Sequence, residues 1–361
     1  MFSLKTSVSN EVFDGILYLC SMKRSNGIKI VVASILISAT AYIYISKEIL
    51  TPFPSEYADV YIPAGNSSDA IGDSLRGRLG NRFGAAVTRL WKLQKGNARR
   101  ARGHYRVLKG ESALSLSRRI CNGRQDPIRF TFNNLRTIDE LADRAASRFD
   151  FTAADFMTAC DSILTNRGFK NRTTYPAAFL PDTYEFYWTT PAEKVVERLA
   201  TTSEHFWSTD RRSDKASALG LSPTEVSTLA SIVEEESASR DEHPMIARLY
   251  LNRLSKGMPL QADPTVKFAN GDFAARRITK RMLEKDSPYN TYRNNGLPPG
   301  PIRIADKRTI DAVLNAPSGK QLYMCAKADF SGRHDFTDSY DRHLSNAAAY
   351  RRALDRRGIK K

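Results

Sequence analysis

Cysteine and histidine are scarce in this chain, at four and five of 361 residues. His104, His205, His243, His334 and His343 are scattered without ligand spacing, and no cysteine pair has zinc-site spacing, so no metal centre is expected. Cys20 stands apart from Cys121, Cys160 and Cys325, and the sequence selects no disulfide among these three. No low-complexity or Pro/Gly/Ser-rich linker interrupts the chain, so its bulk should be compact. Acidic side chains are the minority, 39 against 55 Lys and Arg, giving a formal charge of +16 and a pI near 9.7. Such a surface attracts polyanions. The arginines are dispersed in pairs such as Arg99-Arg100, Arg118-Arg119, Arg211-Arg212 and Arg351-Arg352. With no helix-turn-helix, zinc-finger or aromatic RNA-binding signature beside them, nucleic acid is excluded as the expected partner.

Long apolar runs are as rare as cysteine. One stands out, Ile30 to Ile45, sixteen residues without a charge. Ile28, Ile49 and Leu50 extend it toward the roughly 20 residues needed to cross a bilayer, while Lys29 and Lys47 can snorkel. A signal peptide cut after Ala39-Thr40-Ala41 is the rival reading, but the run continues past that point as Tyr42-Ile43-Tyr44-Ile45. A buried globular helix fails because the run has no polar face. Lys23, Arg24 and Lys29 upstream predict a cytoplasmic N-terminus and an exported remainder. The expected organisation is a cytoplasmic segment over 1–27, an anchor over 28–50, an α+β region over 51–165 and a second α+β domain over 166–361. Met22-Lys23-Arg24 would also make a sensible start, with the preceding segment an extension.

Beyond the anchor, Val60-Tyr61-Ile62-Pro63 alternates as a strand, Ala70, Ile71, Leu75 and Leu79 suit a helix, and Gly103 to Leu108 reads as a returning strand. From Glu111 to Cys160 a similar small architecture follows, with a helix around Leu114 to Ile120, a strand over Ile128 to Phe132 and a helix from Ile138 capped by Thr137.

The stretch from Leu229 to Ile302 carries the chemistry. Ser222-Pro223-Thr224-Glu225 is a capping box with proline in the first turn, so a helix should start at Ser222. At 100° per residue, Val226, Leu229, Ala230 and Val233 share an arc; Glu235 points away, and Glu234 and Glu236 lie on the two edges. One or both of these carboxylates can face an apolar wall, which raises a carboxyl pKa and lets it donate a proton near neutrality. The alternative is a solvated helix-end charge cluster. A second amphipathic helix near Pro244 presents Ile246, Leu249, Tyr250 and Leu254 and ends at Gly257. Asn252, Gln261, Asp263, Tyr289, Asn290 and Tyr292 supply amides, a carboxylate and aromatic faces suited to a sugar, and Pro298-Pro299-Gly300-Pro301 fixes the backbone beside them.

Taken together, Leu229-Ala230-Ser231-Ile232-Val233-Glu234-Glu235-Glu236, Leu251-Asn252-Arg253-Leu254, Leu260 to Val266 and Tyr289-Asn290-Thr291-Tyr292 with Gly296 to Ile302 resemble the endolytic murein transglycosylases, the YceG-like or MltG family. Leu180-Pro181-Asp182-Thr183-Tyr184 and His334-Asp335-Phe336-Thr337 fit the same family, whose late strand more usually has a small or polar residue where Asp335 stands. The resemblance implies a membrane-anchored enzyme that cuts nascent peptidoglycan strands internally, between MurNAc and GlcNAc, and leaves a 1,6-anhydro-MurNAc end. It places the catalytic glutamate on Glu234, the residue after Ile-Val, a choice that helical geometry alone leaves open between Glu234 and Glu236. Glu236, Asn252, Gln261, Asp263, Tyr289, Asn290, Tyr292 and Pro299 would line the glycan cleft. It further implies a LysM-like β-α-α-β subdomain after the anchor, an inner-membrane location with an exported catalytic domain, and membrane-bound peptidoglycan synthases as neighbours.

The chemistry is self-consistent with no cofactor. A hydrolase needs two carboxylates, whereas a lytic transglycosylase needs one, because the substrate's C6 hydroxyl is the attacking group. One glutamate would protonate the departing glycosidic oxygen and then take the proton from that hydroxyl. Asp263 or Glu236 as a second carboxylate would instead give a hydrolytic muramidase. A non-catalytic peptidoglycan-binding scaffold is the remaining alternative.

Overall fold

The computed structural model describes residues 26–275 and 277–357. Residues 1–25 of the expected cytoplasmic segment, with Cys20 and Met22, lie outside the described residues. The first helix, α1 (Asn26–Ile49), has 24 residues, about 36 Å at 1.5 Å per residue, and is long and apolar enough to cross a membrane. Ile30, Val31, Ile35, Ile37 and Ile43 on it are all exposed, so its apolar surface is left without a protein core to cover it. Length and composition thus agree with the expected anchor.

The chain divides into two compact units, with the boundary between residues 126 and 127. In the first, β1 (Tyr57–Ile62) pairs antiparallel with β2 (Gly103–Leu108), from Tyr57↔Leu108 to Ile62↔Gly103. Between them come α2 (Ser68–Leu79), α3 (Asn81–Leu93) and the short α4 (Ala98–Ala101), and α5 (Ala113–Cys121) follows. Alternation puts Val60, Ile62, Tyr105 and Val107 into a core with Ile71, Leu75, Trp91, Leu116 and Ile120. The strand, two helices and returning strand expected from the sequence are present, with one extra short helix.

The second unit opens with the same order of elements. Strand β3 (Pro127–Phe132), helices α6 (Ile138–Ala146) and α7 (Ala153–Asn166), and β4 (Asp182–Tyr187) follow one another, and β3 pairs antiparallel with β4. Phe130, Phe132, Phe149, Phe156, Tyr184 and Phe186 fill the core beneath, with α8 (Ala192–Ser208) across it. The repeated architecture therefore starts at Pro127, and the pairing of β3 with β4 crosses the boundary expected between residues 165 and 166. Helix α5, read there with the repeat, belongs to the first unit's core. Among the described residues, Cys121, Cys160 and Cys325 are free thiols.

A second core in the same unit is built around α10 (Pro223–Glu236), which follows α9 (Arg212–Ala218). Ser222 caps α10 as expected: its hydroxyl accepts from the Glu225 N–H while the Glu225 carboxylate accepts from the Ser222 N–H at 2.8 Å. Every residue from Val226 to Val233 is buried. Thr228 and Ser231 are tolerated there because their hydroxyls bond backbone: Thr228 donates to the Thr224 carbonyl at 2.8 Å, and Ser231 donates to the Thr228 carbonyl at 2.7 Å and accepts from the Ile302 N–H at 3.0 Å. Helices α11 (His243–Ser255), α12 (Asp263–Asn270) and α14 (Lys307–Leu314) pack against α10, α13 (Lys280–Leu283) packs on α12, and a hairpin of β5 (Tyr323–Ala326) and β6 (His334–Thr337) leads into α15 (Tyr340–Arg356).

Gly300 makes the approach of the Pro298 to Pro301 segment feasible, since a Cβ there would overlap the Thr173 carbonyl, which is backbone and cannot swing aside. Gly300→Ala should therefore cost about 1–3 kcal/mol, read as a lowered denaturant midpoint with unchanged slope.

Candidate active site

Three consecutive carboxylates end α10, and helical geometry sends them apart, because residues two positions apart point about 200° from one another. Glu234 faces an ion cluster. Its carboxylate pairs with Arg303 at 3.1 Å and accepts from the Asp306 N–H at 2.8 Å. Glu235 joins the same cluster through Arg303 at 2.6 Å and Arg136 at 3.0 Å. Arg303, 11% exposed, is thus shared between two acids. Glu234, to which the resemblance assigns the catalytic role, is thus held by a guanidinium and a backbone N–H, and it is not among the residues that line the cavity around Glu236.

Glu236 turns the other way, into a cavity of about 300 Å³ lined by Leu249, Tyr250, Arg253, Leu260, Gln261, Asp263, Tyr292, the β5 residues Met324 to Ala326, His334 and His343. The Tyr250 hydroxyl donates to Glu236 Oε1 at 2.5 Å. Burial pushes the Glu236 carboxyl up to about 7, with Asp263 adding to the rise while the Tyr250 hydrogen bond, Lys267 and Arg253 oppose it. The Tyr250 hydroxyl is itself pushed well up, first by burial and then by Glu236, so it stays a donor. A carboxyl in such surroundings is protonated over part of the neutral range and can act as a general acid.

The rest of the cavity is equally structured. Asp263, at the start of α12, accepts from the Tyr292 hydroxyl at 2.6 Å. Gln261 adopts φ +51, a left-handed conformation that a non-glycine residue occupies only when its surroundings fix it; its N–H donates to the Thr291 carbonyl at 3.1 Å. Arg253 is buried and spends its donors on backbone, giving to the Leu322 carbonyl at 2.7 Å and the Leu260 carbonyl at 2.8 Å.

Four of the residues expected in a glycan cleft therefore share this cavity: Glu236, Gln261, Asp263 and Tyr292. The others lie elsewhere. Asn252 donates to the Gly319 and Gln321 carbonyls at 3.0 and 2.9 Å, tying down the chain that enters β5. Asn290 is fully buried and donates to the Leu283 and Lys285 carbonyls, each at 2.8 Å, so it closes a loop and offers nothing to a ligand. Tyr289 packs on Phe268 with ring centroids 4.7 Å apart, and Pro299 is exposed outside the cavity lining. Sequence reasoning missed Tyr250 and Arg253, read as core and helix end. A buried tyrosine 14 residues beyond an acid, on the next helix, gives no local signal; its partner is visible only in three dimensions. A broader groove of about 920 Å³ runs along Glu185 to Tyr187 and α8, but its acids and bases, such as Lys194 and Glu197 at 2.8 Å, pair with each other at the surface.

The fold agrees with the comparisons. The chain belongs to the YceG-like family, whose family model matches residues 60–349. It is 28% identical over 328 residues to a Bacillus subtilis protein named endolytic murein transglycosylase, an alignment that covers 85% of this chain and 89% of that one. A Streptococcus pneumoniae protein of the same name is 28% identical over 174 residues, 47% of this chain and 31% of that longer one. Among solved structures, a yceG-like protein of Listeria monocytogenes superposes with a TM-score of 0.54 at 25% identity, over 80% of this chain and 98% of that one.

The raised Glu236 carboxyl has a consequence for stability. The folded chain holds this proton up to about pH 7, whereas a free glutamate releases it near 4.5, so between those values the folded state binds more protons than the unfolded state. Stability from this group is therefore present below pH 4.5 and lost as pH rises through about 7. Glu236→Gln should remove that loss: its melting temperature should exceed that of the parent most at pH 8, and the gap should close by pH 5.

Proposed function

We propose that this chain is an endolytic peptidoglycan lytic transglycosylase whose acid is Glu236. The observation that carries the reading is a carboxyl held protonated toward neutrality by burial, in a cavity that also presents Asp263, Gln261 and Tyr292 to a hydroxyl- and amide-rich ligand. The names of the B. subtilis and S. pneumoniae relatives support the reaction class. Glu236 donates to the glycosidic oxygen leaving C1 of a MurNAc unit, that C1–O bond breaks, and the C6 hydroxyl gives up its proton to a base in the cavity as its oxygen closes on C1 to form a 1,6-anhydro end. Asp263, the first residue of α12 and bonded to the Tyr292 hydroxyl, lines the same cavity and supports the developing positive charge electrostatically. Cutting strands internally while they are being made would end their elongation beside membrane-bound synthases.

The apolar α1 supports single-pass anchoring in the cytoplasmic membrane, and Lys23, Arg24 and Lys29, which precede its apolar run, support an exported catalytic region. The strand, helix, helix, strand order of residues 57–108 supports a LysM-like module ahead of that region.

Asp263 also sustains a second reading, hydrolysis with a second carboxylate, because it faces the same cavity as Glu236. Mass spectrometry of fragments released from purified peptidoglycan separates the two: anhydro ends are expected, and reducing ends would favour hydrolysis. In the same assay Glu236→Gln should lower release by about 10³-fold. Glu234→Gln should keep most of the activity while destabilising the fold by about 1–3 kcal/mol, since it strips Arg303 of one buried partner. Full activity in Glu236→Gln together with its loss in Glu234→Gln would return the acid to Glu234.

A further inference from the structure

Ring closure requires the C6 hydroxyl to lose a proton, and the cavity holds a group placed to receive it. His334 lines the same cavity as Glu236. Its ring is fixed by Glu242, a side chain only 8% exposed, with Nδ1 3.1 Å from Oε2, while the His334 N–H donates to Oε1 at 2.7 Å. The Ser237 hydroxyl donates to the same Glu242 Oε2 at 3.0 Å. Ser237 directly follows Glu236, so one carboxylate fixes both the end of α10 that carries the acid and the strand that carries the histidine. Burial would raise Glu242, but the donations from the His334 N–H, the His334 ring and Ser237 outweigh it and hold the carboxyl below its ordinary range. An ionised carboxylate only accepts, so the proton of the neutral imidazole resides on Nδ1 and the lone pair on Nε2. His243, the neighbouring histidine, is committed elsewhere: its Nε2 lies 2.9 Å from the Ser237 carbonyl and its Nδ1 3.2 Å from the Thr309 hydroxyl.

We propose that His334, oriented by Glu242, is a second catalytic residue, whose Nε2 binds the C6 hydroxyl of the MurNAc unit and takes its proton as the oxygen closes on C1. The proposal rests on the lytic reading above. The step balances: the C1–O bond to the departing sugar breaks as the C6 oxygen–C1 bond forms, Glu236 gives its proton to the departing oxygen, and the C6 proton passes to Nε2. Proton exchange through water between imidazolium and carboxylate then restores the starting state. Water has no such preorganised acceptor for a second, hydrolytic proton if the sugar hydroxyl occupies Nε2, which favours cyclisation. Glu242 is a positioning residue in this scheme, acting through the imidazole.

The test uses the full-length chain in detergent with purified peptidoglycan, reading turnover and fragment ends by mass spectrometry. His334→Ala should lower kcat about 10²-fold with KM little changed, and imidazole added to the buffer should restore much of that rate by occupying the vacated space. His334→Asn keeps an N–H for Glu242 and lacks the second ring nitrogen; it should be as slow as His334→Ala with a melting temperature close to that of the parent, and it carries the test should His334→Ala fail to fold. Turnover of His334→Asn at the parent rate, or a slow and folded His334→Ala that imidazole does not restore, overturns the proposal while leaving the lytic reading intact. Reducing ends from the unmodified protein would instead overturn the lytic reading, and the role of His334 in ring closure with it.

Discussion

The complete burial of α10 from Val226 to Val233 is the constraint on which the site depends. A helix buried on all sides cannot rotate to suit its last turn, so the directions of Glu234, Glu235 and Glu236 are fixed by packing two turns earlier. The same residue type then meets two environments. On one side Arg303 and Arg136 pair with Glu234 and Glu235; on the other, Glu236 has no ion pair among the described residues, only the Tyr250 hydroxyl, and burial beside Leu249 and Leu260 outweighs that hydrogen bond. Pairs of carboxyls whose surroundings drive them apart are how one fold separates structural from reactive acids.

Much of this was legible in the sequence. The start of α10 at Ser222, the second helix ending at Gly257, the apolar α1 and the alternating strands around Val60 and Phe130 all follow from local rules of capping and periodicity. The site was legible as a segment but less so as side chains. Asn252 and Asn290 are the instructive cases: an amide suited to a sugar is equally suited to orphan backbone carbonyls, and those carbonyls belong to residues 319, 321, 283 and 285, which no local pattern connects to them. The different surroundings of Glu234 and Glu236 were illegible for a similar reason. Arg303 is 69 residues beyond Glu234, and nothing in the helical wheel shows which edge it will occupy.

Backbone carbonyls also explain how an arginine can stand beside a carboxyl that keeps its proton. Arg253 shares the cavity with Glu236, and a guanidinium free to turn toward it would form the same kind of pair that Arg303 forms with Glu234, holding the acid ionised. Instead its Nε donates to the Leu322 carbonyl, and Nη1 to the carbonyls of Leu260 and Pro259. Those bonds tie α11 to the chain beside the cavity and commit Nε and Nη1 to backbone. The remaining field of Arg253 lowers the Glu236 carboxyl only in part, and burial prevails. The turn of chain at Pro259 and Leu260, which looks like a mere connection between α11 and α12, is thus what allows a buried cation and a proton-bearing acid to occupy one wall.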